Sequence, residues 1–257
     1  MSDTTVFYDE LSEYYHLIFK DWYQAIEWQG EFFHKLIQSI MPEKISSDIK
    51  ILDSSCGIGT QCLGLARYHY QITATDISSK SIERAKQESH KLNLDVNFGV
   101  ADFRSLDTDV EGTFNVVLSA DNAVPHLLSD QDLQRSCSNI FSKLEPNGLL
   151  IITIRDYDEL LLEKPHATTP RIMDSGKRIV FQVWDWQEDG RTYETSHFIM
   201  QDVNGNWITN VNKTMYRALQ RSELSSFLIS AGFSEVTWLM PEQSSYYQPI
   251  VVARRSS

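Results

Sequence analysis

Residues 50–60 read Lys50-Ile51-Leu52-Asp53-Ser54-Ser55-Cys56-Gly57-Ile58-Gly59-Thr60 and form the most informative segment of this 257-residue chain. The apolar start of the segment predicts a buried strand, and its two glycines predict a turn whose backbone can approach a ligand closely. Helix-forming residues follow at 62–70, so the free N–H groups of a helix N-terminus face the turn. Because an α/β sheet binds ligands at the carboxyl ends of its strands, we expect a ligand site here.

The glycine spacing separates two classes of nucleotide ligand. A dinucleotide fingerprint requires Gly-x-Gly-x-x-Gly, which would place the third glycine at position 62. That position is Cys62, Gly64 comes two residues too late, and the acid Asp53 is not part of the fingerprint. An NAD-dependent oxidoreductase is therefore disfavoured. A glycine-bearing turn without a cofactor stays open at this point, because short glycine patterns often match by chance.

Composition and charge argue against several kinds of partner. The chain is 42% hydrophobic and 11% aromatic, which is typical of a globular protein with a filled core. Its formal charge of −12 argues against binding to a phosphate backbone. The acidic N-terminus predicts no signal peptide, and no window approaches the roughly 20 apolar residues of a membrane span. We expect a soluble cytoplasmic protein with a small-molecule substrate and no nucleic-acid or membrane partner.

Strands and helices are predicted to alternate through the first part of the chain. After the first strand, further strands are expected at 71–75, 96–100, 114–119 and 149–154, with intervening helices that include 78–92 and 130–144. This alternation predicts a parallel sheet with helices on both faces. Three acids, Asp53, Asp76 and Asp102, stand at strand ends and are therefore expected on one edge of that sheet.

Two of these acids have a spacing or neighbour suited to a nucleoside. Asp76 lies 23 residues after Asp53, the distance at which α/β nucleotide folds place a carboxylate on ribose hydroxyls. Asp102 is followed by Phe103, and this pair can accept from an adenine amino group and cover its face. Either acid can instead cap a helix or short turn. The common sheet edge favours the binding roles.

The rest of the chain departs from this alternation. Residues 4–40 are predicted to be helical with a break near residues 20–21, and their many aromatic residues either pack on the core or close over a ligand. Residues 177–187, 191–203 and 207–218 are predicted to form an inserted three-stranded antiparallel lid, because hairpin turns separate them. We expect a single domain with a helical cap (1–45), a cofactor-binding core (46–156), the lid (157–218) and the end of the core sheet (219–257).

The order of these motifs resembles class I S-adenosylmethionine-dependent methyltransferases over nearly the whole chain. The resemblance implies an α/β, Rossmann-like sheet that is mostly parallel with one antiparallel strand. Within this class, the segments 119–127 and 153–158 are similar to glycine N-methyltransferase and the microbial glycine/sarcosine N-methyltransferases, which carry an asparagine after the fourth strand and Arg-x-Tyr after the fifth. Here these residues are Asn122, Arg155 and Tyr157.

The resemblance assigns roles to particular residues. It implies a cofactor site composed of Tyr8, Tyr15, Asp53, Cys56, Gly57, Gly59, Asp76, Ile77, Asp102, Phe103 and Ala120. It implies a substrate site composed of Asn122, Arg155, Tyr193 and Tyr216, in which Asn122 and Arg155 position the amino acid. The basic residue that relatives use for the cofactor carboxylate is missing from the N-terminal helix, and Lys20 is the nearest candidate. His126 lies beside a proline turn and is expected to be structural.

The activity implied is methyl transfer from S-adenosylmethionine to the amine of glycine or sarcosine by in-line displacement, with S-adenosylhomocysteine as product and no metal. A homo-oligomer is possible. Arg155 can instead form an ion pair with Asp156, Asp158 or Glu159. The alternative functions are methylation of another small molecule, whether an amine, a carboxylate or a hydroxyl, and a non-catalytic protein that keeps the cofactor pocket.

Overall fold

The computed structural model describes residues 3–256 of the chain. Its strands are β1 (Lys50–Asp53), β2 (Gln71–Asp76), β3 (Asn97–Val100), β4 (Phe114–Ser119), β5 (Leu144–Thr153), β6 (Arg171–Met173), β7 (Arg178–Trp186), β8 (Thr192–Val203), β9 (Asn206–Arg217), β10 (Phe233–Leu239) and β11 (Ile250–Arg255). Its α-helices are α1 (Asp3–Leu11), α2 (Trp22–Ile40), α3 (Thr60–Ala66), α4 (Ser79–Leu92), α5 (Leu106–Asp109), α6 (Asp130–Lys143), α7 (Tyr157–Glu163), α8 (Arg221–Ser230) and α9 (Pro241–Ser244).

Seven strands form one sheet in the order β10-β11-β5-β4-β1-β2-β3. Strand β11 pairs antiparallel with both β5 and β10, whereas the pairs that join β5, β4, β1, β2 and β3 are parallel. The central strand β4 is buried along its whole length, as expected for a strand with helices on both faces. The predicted fold class, a mostly parallel sheet with one antiparallel strand, is confirmed.

The inserted antiparallel sheet has four strands rather than the predicted three. It has the order β6-β7-β8-β9, and the extra strand, β6, pairs with β7 through the register Ile172↔Ile179. Strand β6 is only three residues long, too short for alternating hydrophobicity to indicate it. One face of this second sheet is buried, because alternate residues of β8 from Tyr193 to Ile199 have almost no exposed surface.

The N-terminal segment packs against both sheets. Helix α1 contributes Phe7 and Leu11 to a hydrophobic cluster with β6, β7 and β8 of the second sheet. Helix α2 begins just after the predicted break, where Asp21 accepts a hydrogen bond from the Gln24 N–H at 3.1 Å and caps the helix. The interruption is wider than predicted, because α1 already ends at Leu11. Helix α2 is amphipathic and buries Ile26 and other apolar side chains against the large sheet. Within residues 3–256, no helix is long and apolar enough to cross a membrane.

Two glycines bring the backbones of α2 and α3 into contact. A Cβ atom on Gly64 would lie 2.3 Å from the carbonyl oxygen of Ile26, and one on Gly30 would lie 2.4 Å from the carbonyl carbon of Gly64. Real Cβ atoms do not approach backbone atoms this closely. Gly64, which comes too late for a dinucleotide fingerprint, therefore allows the helix that follows the glycine turn to pack closely on α2.

Gly64→Ala is expected to lower the free energy of unfolding by about 3 kcal/mol, because the new methyl group must push α2 and α3 apart. Chemical denaturation of the purified variant measures this change. Gly99→Ala is the matched control, since its Cβ would meet only Thr75 Cγ2 at 3.7 Å. We expect it to change stability by about 0.5 kcal/mol or less. Equal stability of the two variants would contradict the close-packing explanation.

Candidate active site

Two adjoining cavities lie at the carboxyl edge of the large sheet. The first, which we call the sheet-edge cavity, has a volume of about 280 Å³ and is lined by residues at the ends of β1 to β4. The second, the inner cavity, has a volume of about 310 Å³ and is lined by residues of α1 and of the second sheet. Tyr8, Tyr15 and Asp121 line both cavities, so the two spaces meet at these side chains.

Most of the side chains predicted to contact a cofactor line the sheet-edge cavity. They are Tyr8, Tyr15, Cys56, Gly57, Asp76, Ile77, Asp102, Phe103 and Ala120. Two predicted residues do not line it. Asp53 is fully buried, and Gly59 precedes α3 with a φ of 103°, where an added Cβ would lie 2.8 Å from Leu63 Cδ1. Lys20 is exposed and lines neither cavity.

Asp76 connects the glycine turn to the end of β2. Its Oδ2 accepts a hydrogen bond from the Gly57 N–H at 2.8 Å, and its Oδ1 accepts one from the Ser78 N–H at 2.9 Å. The N-cap of α4 is Ser78 rather than Asp76, so the carboxylate is not used as a helix cap. Burial raises the pKa of Asp76 to about 6, which leaves it mostly ionised at neutral pH. Its remaining acceptor positions are available to the cavity.

Asp102 and Phe103, which follow β3, line the same cavity as Asp76. Asp102 also caps a short turn, because its Oδ1 accepts the Arg104 N–H at 2.9 Å. Its carboxylate pairs with the Arg104 guanidinium, with 2.5 Å between Nη2 and Oδ2. Burial acts to raise the pKa of Asp102, but the Arg104 guanidinium more than offsets this and holds the pKa below its usual range. Both the capping and the cavity-lining interpretations therefore apply to this acid.

Arg155 follows β5 and lines the inner cavity. Its Nη1 donates to the Tyr193 hydroxyl at 3.0 Å, its Nη2 donates to Gln182 Oε1 at 2.8 Å, and the guanidinium lies 4.9 Å from the ring centroid of Trp184. No carboxylate in residues 4–256 lies within ion-pairing distance of it.

The expected alternative for Arg155, an ion pair with a neighbouring acid, is not formed. Two of the acids considered as partners of Arg155 are paired with Arg221 instead. The Arg221 guanidinium contacts Asp156 and lies 3.4 Å from Asp158. A half-buried cation without an anionic partner is costly in free energy. The inner cavity therefore contains a positive charge that an anionic ligand would compensate.

Asn122 and Tyr193 support Arg155 rather than stand free in the cavity. Asn122 Oδ1 accepts the Arg155 backbone N–H at 3.0 Å, and its Nδ2 donates to the Tyr157 hydroxyl at 2.9 Å. Tyr193 has no exposed surface and hydrogen-bonds to both Arg155 and Tyr157. Asn122 lines the inner cavity, whereas Tyr193 lies behind its wall.

Tyr216 lines the inner cavity and packs against a buried histidine. Its ring centroid lies 4.1 Å from that of His126. His126 Nε2 is hydrogen-bonded to the Tyr8 hydroxyl at 2.9 Å, and its Nδ1 to the Met215 carbonyl at 3.1 Å. Burial lowers the pKa of His126 to about 3, so the ring is neutral at physiological pH. With both nitrogens engaged, His126 joins α1 to β9 and has a structural role.

The chain is similar to methyltransferases in sequence and in structure. Residues 51–148 match a family described as a methyltransferase domain. The glycine/sarcosine N-methyltransferase of Parasynechococcus marenigrum (strain WH8102) is 28% identical over 141 residues, which cover 55% of this chain and 48% of that protein. The glycine/sarcosine N-methyltransferase of Aphanothece halophytica is 22% identical over 92% of this chain and 86% of its own length. The alignments thus span about half the length of the first of these relatives.

A solved structure extends the similarity to nearly the whole fold. S-adenosylmethionine-bound CalS10, an amino pentose methyltransferase from Micromonospora echinaspora, superimposes with a TM-score of 0.73 at 17% identity, over 91% of this chain and 94% of its own. The family match covers the glycine turn and the ends of β2, β3 and β4, which are the same elements that border the sheet-edge cavity.

Residues 51–148 match a methyltransferase domain, and the chain has the class I methyltransferase fold. The resemblance predicted from its motifs, to class I S-adenosylmethionine-dependent methyltransferases and among them the glycine/sarcosine N-methyltransferases, is confirmed. The fold is that of S-adenosylmethionine-dependent enzymes. Among residues 3–256, no group of three or more histidine, cysteine, aspartate or glutamate side chains could hold a metal ion.

The sheet-edge cavity of this methyltransferase domain suits the chemistry of the methyl donor. A Cβ on Gly57 would meet no atom within 4 Å, so the glycine turn leaves open space that a ligand can approach closely. Asp76 offers acceptors for a ribose diol, and Phe103 offers a ring face for a purine. The rings and hydroxyls of Tyr8 and Tyr15 suit a sulfonium cation. These residues would hold S-adenosylmethionine, whose methyl group is already activated for transfer.

Sequence reasoning missed a polar network where the two cavities meet. Asp121 Oδ2 accepts from Gln61 Nε2 at 2.8 Å, and its Oδ1 accepts from the hydroxyls of Tyr246, at 3.3 Å, and Tyr247. Gln29 Oε1 accepts from both Gln61 and Tyr246. Only Asp121 carried a local signal, because it is an acid two residues after the end of β4, whereas Asp53 and Asp76 are the last residues of β1 and β2. The two tyrosines lie more than a hundred residues away in sequence.

Asp53 is a buried acid without full hydrogen bonding. Its Oδ1 accepts the Ser55 N–H at 3.4 Å, and its Oδ2 has no partner among the described residues. Burial raises the pKa of Asp53 to about 8, and the nearby charges of Asp76 and Asp121 add to this. Since the native protein then holds a proton that the unfolded chain releases near pH 4, ionising Asp53 costs stability as the pH rises.

Asp53→Asn is expected to remove that cost in the ligand-free protein. Wild-type stability should fall by roughly several kcal/mol between about pH 4 and pH 8, because burial raises the pKa values of both Asp53 and Asp76. The variant should lose the contribution of Asp53, which continues above about pH 6, the pKa of Asp76. Denaturant unfolding at pH 5, 6, 7 and 8 measures it. Asp48→Asn, at an exposed position, is the control and should keep the wild-type slope. Parallel curves for wild type and Asp53→Asn would contradict a raised pKa for Asp53.

Proposed function

We propose that this chain transfers a methyl group from S-adenosylmethionine to the amine of a small amino acid, glycine and/or sarcosine, by in-line displacement. The observation that carries the proposal is the Arg155 guanidinium, which lines a cavity next to the predicted cofactor cavity and has no carboxylate partner among residues 4–256. An amino-acid substrate supplies the missing anion through its carboxylate.

The surroundings of Arg155 favour a carboxylate held in a fixed orientation. Tyr193 and Gln182 each take one N–H of the guanidinium, and the ring of Trp184 supports one face. The remaining N–H groups can form two parallel hydrogen bonds to a carboxylate. Because Asn122 holds the Arg155 backbone, the carboxylate position is fixed relative to the end of β4. Such fixed positioning is the main requirement of a displacement at an already activated methyl carbon.

The relation between the two cavities suits an amine that faces the methyl donor. An amino acid bound through its carboxylate at Arg155 would direct its amine toward the shared wall at Tyr8, Tyr15 and Asp121. Tyrosine hydroxyls and a carboxylate are good acceptors for amine hydrogens. The glycine/sarcosine N-methyltransferases among the relatives support the same substrate class.

One observation favours a second candidate, methylation of a larger amine. The inner cavity has a volume of about 310 Å³, more than an acceptor as small as glycine would fill, and the second sheet contributes a further cation, Arg171, to its lining. The structural neighbour CalS10 is an amino pentose methyltransferase. An amine on a ring would use the same shared wall but would leave Arg155 without a carboxylate, unless the acceptor also carried an acidic group.

Calorimetric titration separates these functions. S-adenosylhomocysteine is titrated into the protein first, and glycine, sarcosine, dimethylglycine and glucosamine are then titrated into the complex. The proposal expects binding of the cofactor product and of glycine or sarcosine. Binding of glucosamine without an amino-acid response would favour the second candidate. Absence of S-adenosylhomocysteine binding would contradict methyl transfer itself.

A further inference from the structure

We propose that Asp121 is the proton acceptor of this methyltransferase domain, removing the proton that frees the lone pair of the acceptor amine. This assignment rests on the N-methylation proposed above. Asp121 lies two residues after the end of β4 and is one of three side chains that line both cavities, so it borders the place where the amine and the methyl donor would meet.

The other ionisable side chains at that place do not suit the role. Burial raises the pKa values of Tyr8 and Tyr15 well above the usual value of 10.0, so both hydroxyls stay protonated at neutral pH. His126 has a pKa lowered to about 3 by burial, and hydrogen bonds occupy both of its ring nitrogens. A group with such a low pKa is a weak base at pH 7. Asp121 remains as the carboxylate that both cavities share.

Asp121 is held in place but keeps room for one more donor. Gln61 and Tyr247 each donate a hydrogen bond to its carboxylate, which has about four acceptor positions. The Tyr246 hydroxyl lies 3.3 Å from Oδ1 and donates over the shorter distance of 2.9 Å to Gln29 Oε1. Its backbone is fixed as well, with a φ of 58° and an N–H that donates to Thr153 Oγ1 at 2.9 Å. A non-glycine residue in the left-handed region costs free energy and is retained where the surroundings impose it. An amine N–H can fill the remaining acceptor position.

The electrostatic surroundings make Asp121 a stronger base than an ordinary aspartate. Burial raises its pKa, and hydrogen bonds chiefly from Tyr247 and Gln61 act in the opposite direction. The ionisable groups that face it are Tyr15 from the N-terminal segment, Asp53 from β1, Arg155 after β5 and the two tyrosines before β11. A raised pKa brings the carboxyl closer to the operating pH, which is the condition for effective general-base catalysis.

Proton transfer to Asp121 precedes methyl transfer in the proposed step. The acceptor enters as an ammonium ion, and one N–H proton moves to an oxygen of the Asp121 carboxylate. The freed nitrogen lone pair forms the N–C bond as the C–S bond of the donor breaks, and the electron pair of that bond stays on sulfur. The product leaves as an N-methylammonium ion with S-adenosylhomocysteine. Asp121 then loses its proton, and Tyr247, which is partly exposed, connects it to the protein surface.

Asp121→Asn is the direct test, because asparagine has nearly the same shape and tolerates a positive φ. We expect kcat/KM for the accepted amine to fall about 100-fold at pH 7. The deficit should narrow as the pH rises above the pKa of the free amine, since the amine then arrives neutral. S-adenosylhomocysteine affinity should change by about threefold or less. A purely structural role would not produce a deficit that depends on pH.

Tyr247→Phe is the second variant and keeps the carboxylate. Removing a hydroxyl donor raises the pKa of Asp121, so the acidic limb of the pH–rate profile should move to higher pH. An Asp121→Asn variant as active as wild type, or one whose loss is equal at every pH, would overturn the inference. A parallel loss of S-adenosylhomocysteine affinity would also overturn it, because Asp121 would then bind the donor. If wild type methylates no amine among glycine, sarcosine and glucosamine, the proposed function fails and the inference fails with it.

Discussion

Arg155→Ala is expected to lower kcat/KM for glycine or sarcosine about a thousandfold, while S-adenosylhomocysteine affinity stays within about threefold of wild type. The guanidinium lines the inner cavity and forms no ion pair with a described carboxylate, so its loss removes the predicted anchor of the substrate. Truncating one partner of a buried, hydrogen-bonded charge pair typically costs about 2–5 kcal/mol, which corresponds to a loss of this size.

Arg155→Lys tests whether positive charge alone is enough to bind the substrate carboxylate. Lysine keeps the positive charge but loses the planar fork that can hold a carboxylate through two parallel bonds. We expect an intermediate loss of about 10–100-fold, mainly in KM. Arg67→Ala is the matched control, because Arg67 lines neither cavity and forms an ion pair with Glu27 at the surface. This variant should behave as wild type. Thermal melting of each variant separates lost binding from lost folding.

The outcome that would contradict the amino-acid assignment is clear in kinetic terms. If Arg155→Ala methylates an amine substrate with unchanged KM, the acceptor does not use a carboxylate at Arg155. A larger amine would then be the better assignment. If the variant instead loses S-adenosylhomocysteine affinity to the same extent as activity, Arg155 would serve the methyl donor rather than the acceptor.

Asp76→Ala is expected to weaken S-adenosylhomocysteine binding about 100-fold. The carboxylate is predicted to accept two ribose hydroxyls, and charge-assisted hydrogen bonds of this kind are worth about 1.5–3 kcal/mol. Removing it also leaves the Gly57 and Ser78 N–H groups without the acceptor that shapes the glycine turn. Calorimetry gives the dissociation constant directly. Asp48→Asn, far from both cavities on an exposed turn, is expected to bind as wild type.

The pH dependence of binding provides an independent test of Asp76. Its pKa is raised to about 6 by burial, and the ionised form is the better acceptor. Wild-type affinity for S-adenosylhomocysteine should therefore decrease as the pH falls from 7 through 6 toward 5. Asp76→Asn should be weak throughout and show little dependence on pH in this range. A wild-type affinity that is constant from pH 7 to pH 5 would contradict the ribose assignment.

Local sequence was sufficient for much of the sheet-edge cavity. An apolar strand, an acid and a glycine turn specify the β1–α3 unit, because only glycine enters the left-handed region without cost at Gly57 and Gly59. Parallel strands place their carboxyl ends on one edge, so Asp76 and Asp102 could be expected near that turn. The same reasoning could not tell that Asp53 lies beneath the turn rather than on the cavity wall, since burial depends on what packs around it.

The inner cavity was less accessible to sequence reasoning, because its parts come from distant segments. Arg155 could be singled out, but its support by Tyr193 and Gln182 depends on the second sheet lying against the end of β5. Strand β6 was not predicted because three residues are too few to show alternating hydrophobicity. Asp121 follows a strand like the other acids, yet its partners Tyr246 and Tyr247 become neighbours only when β11 inserts beside β5.

The sequence by itself determined the class of fold, the position of the glycine turn and the acids at its edge, because these follow from backbone conformation and from strand and helix periodicity over short stretches. The tertiary structure alone decided that Arg155 has no ion-pair partner among the described residues and that Asp121 stands where two cavities meet. Those properties depend on which side chains are buried and on contacts between residues far apart in sequence. Both result from the hydrophobic packing of the whole chain, which a short stretch of sequence does not reveal.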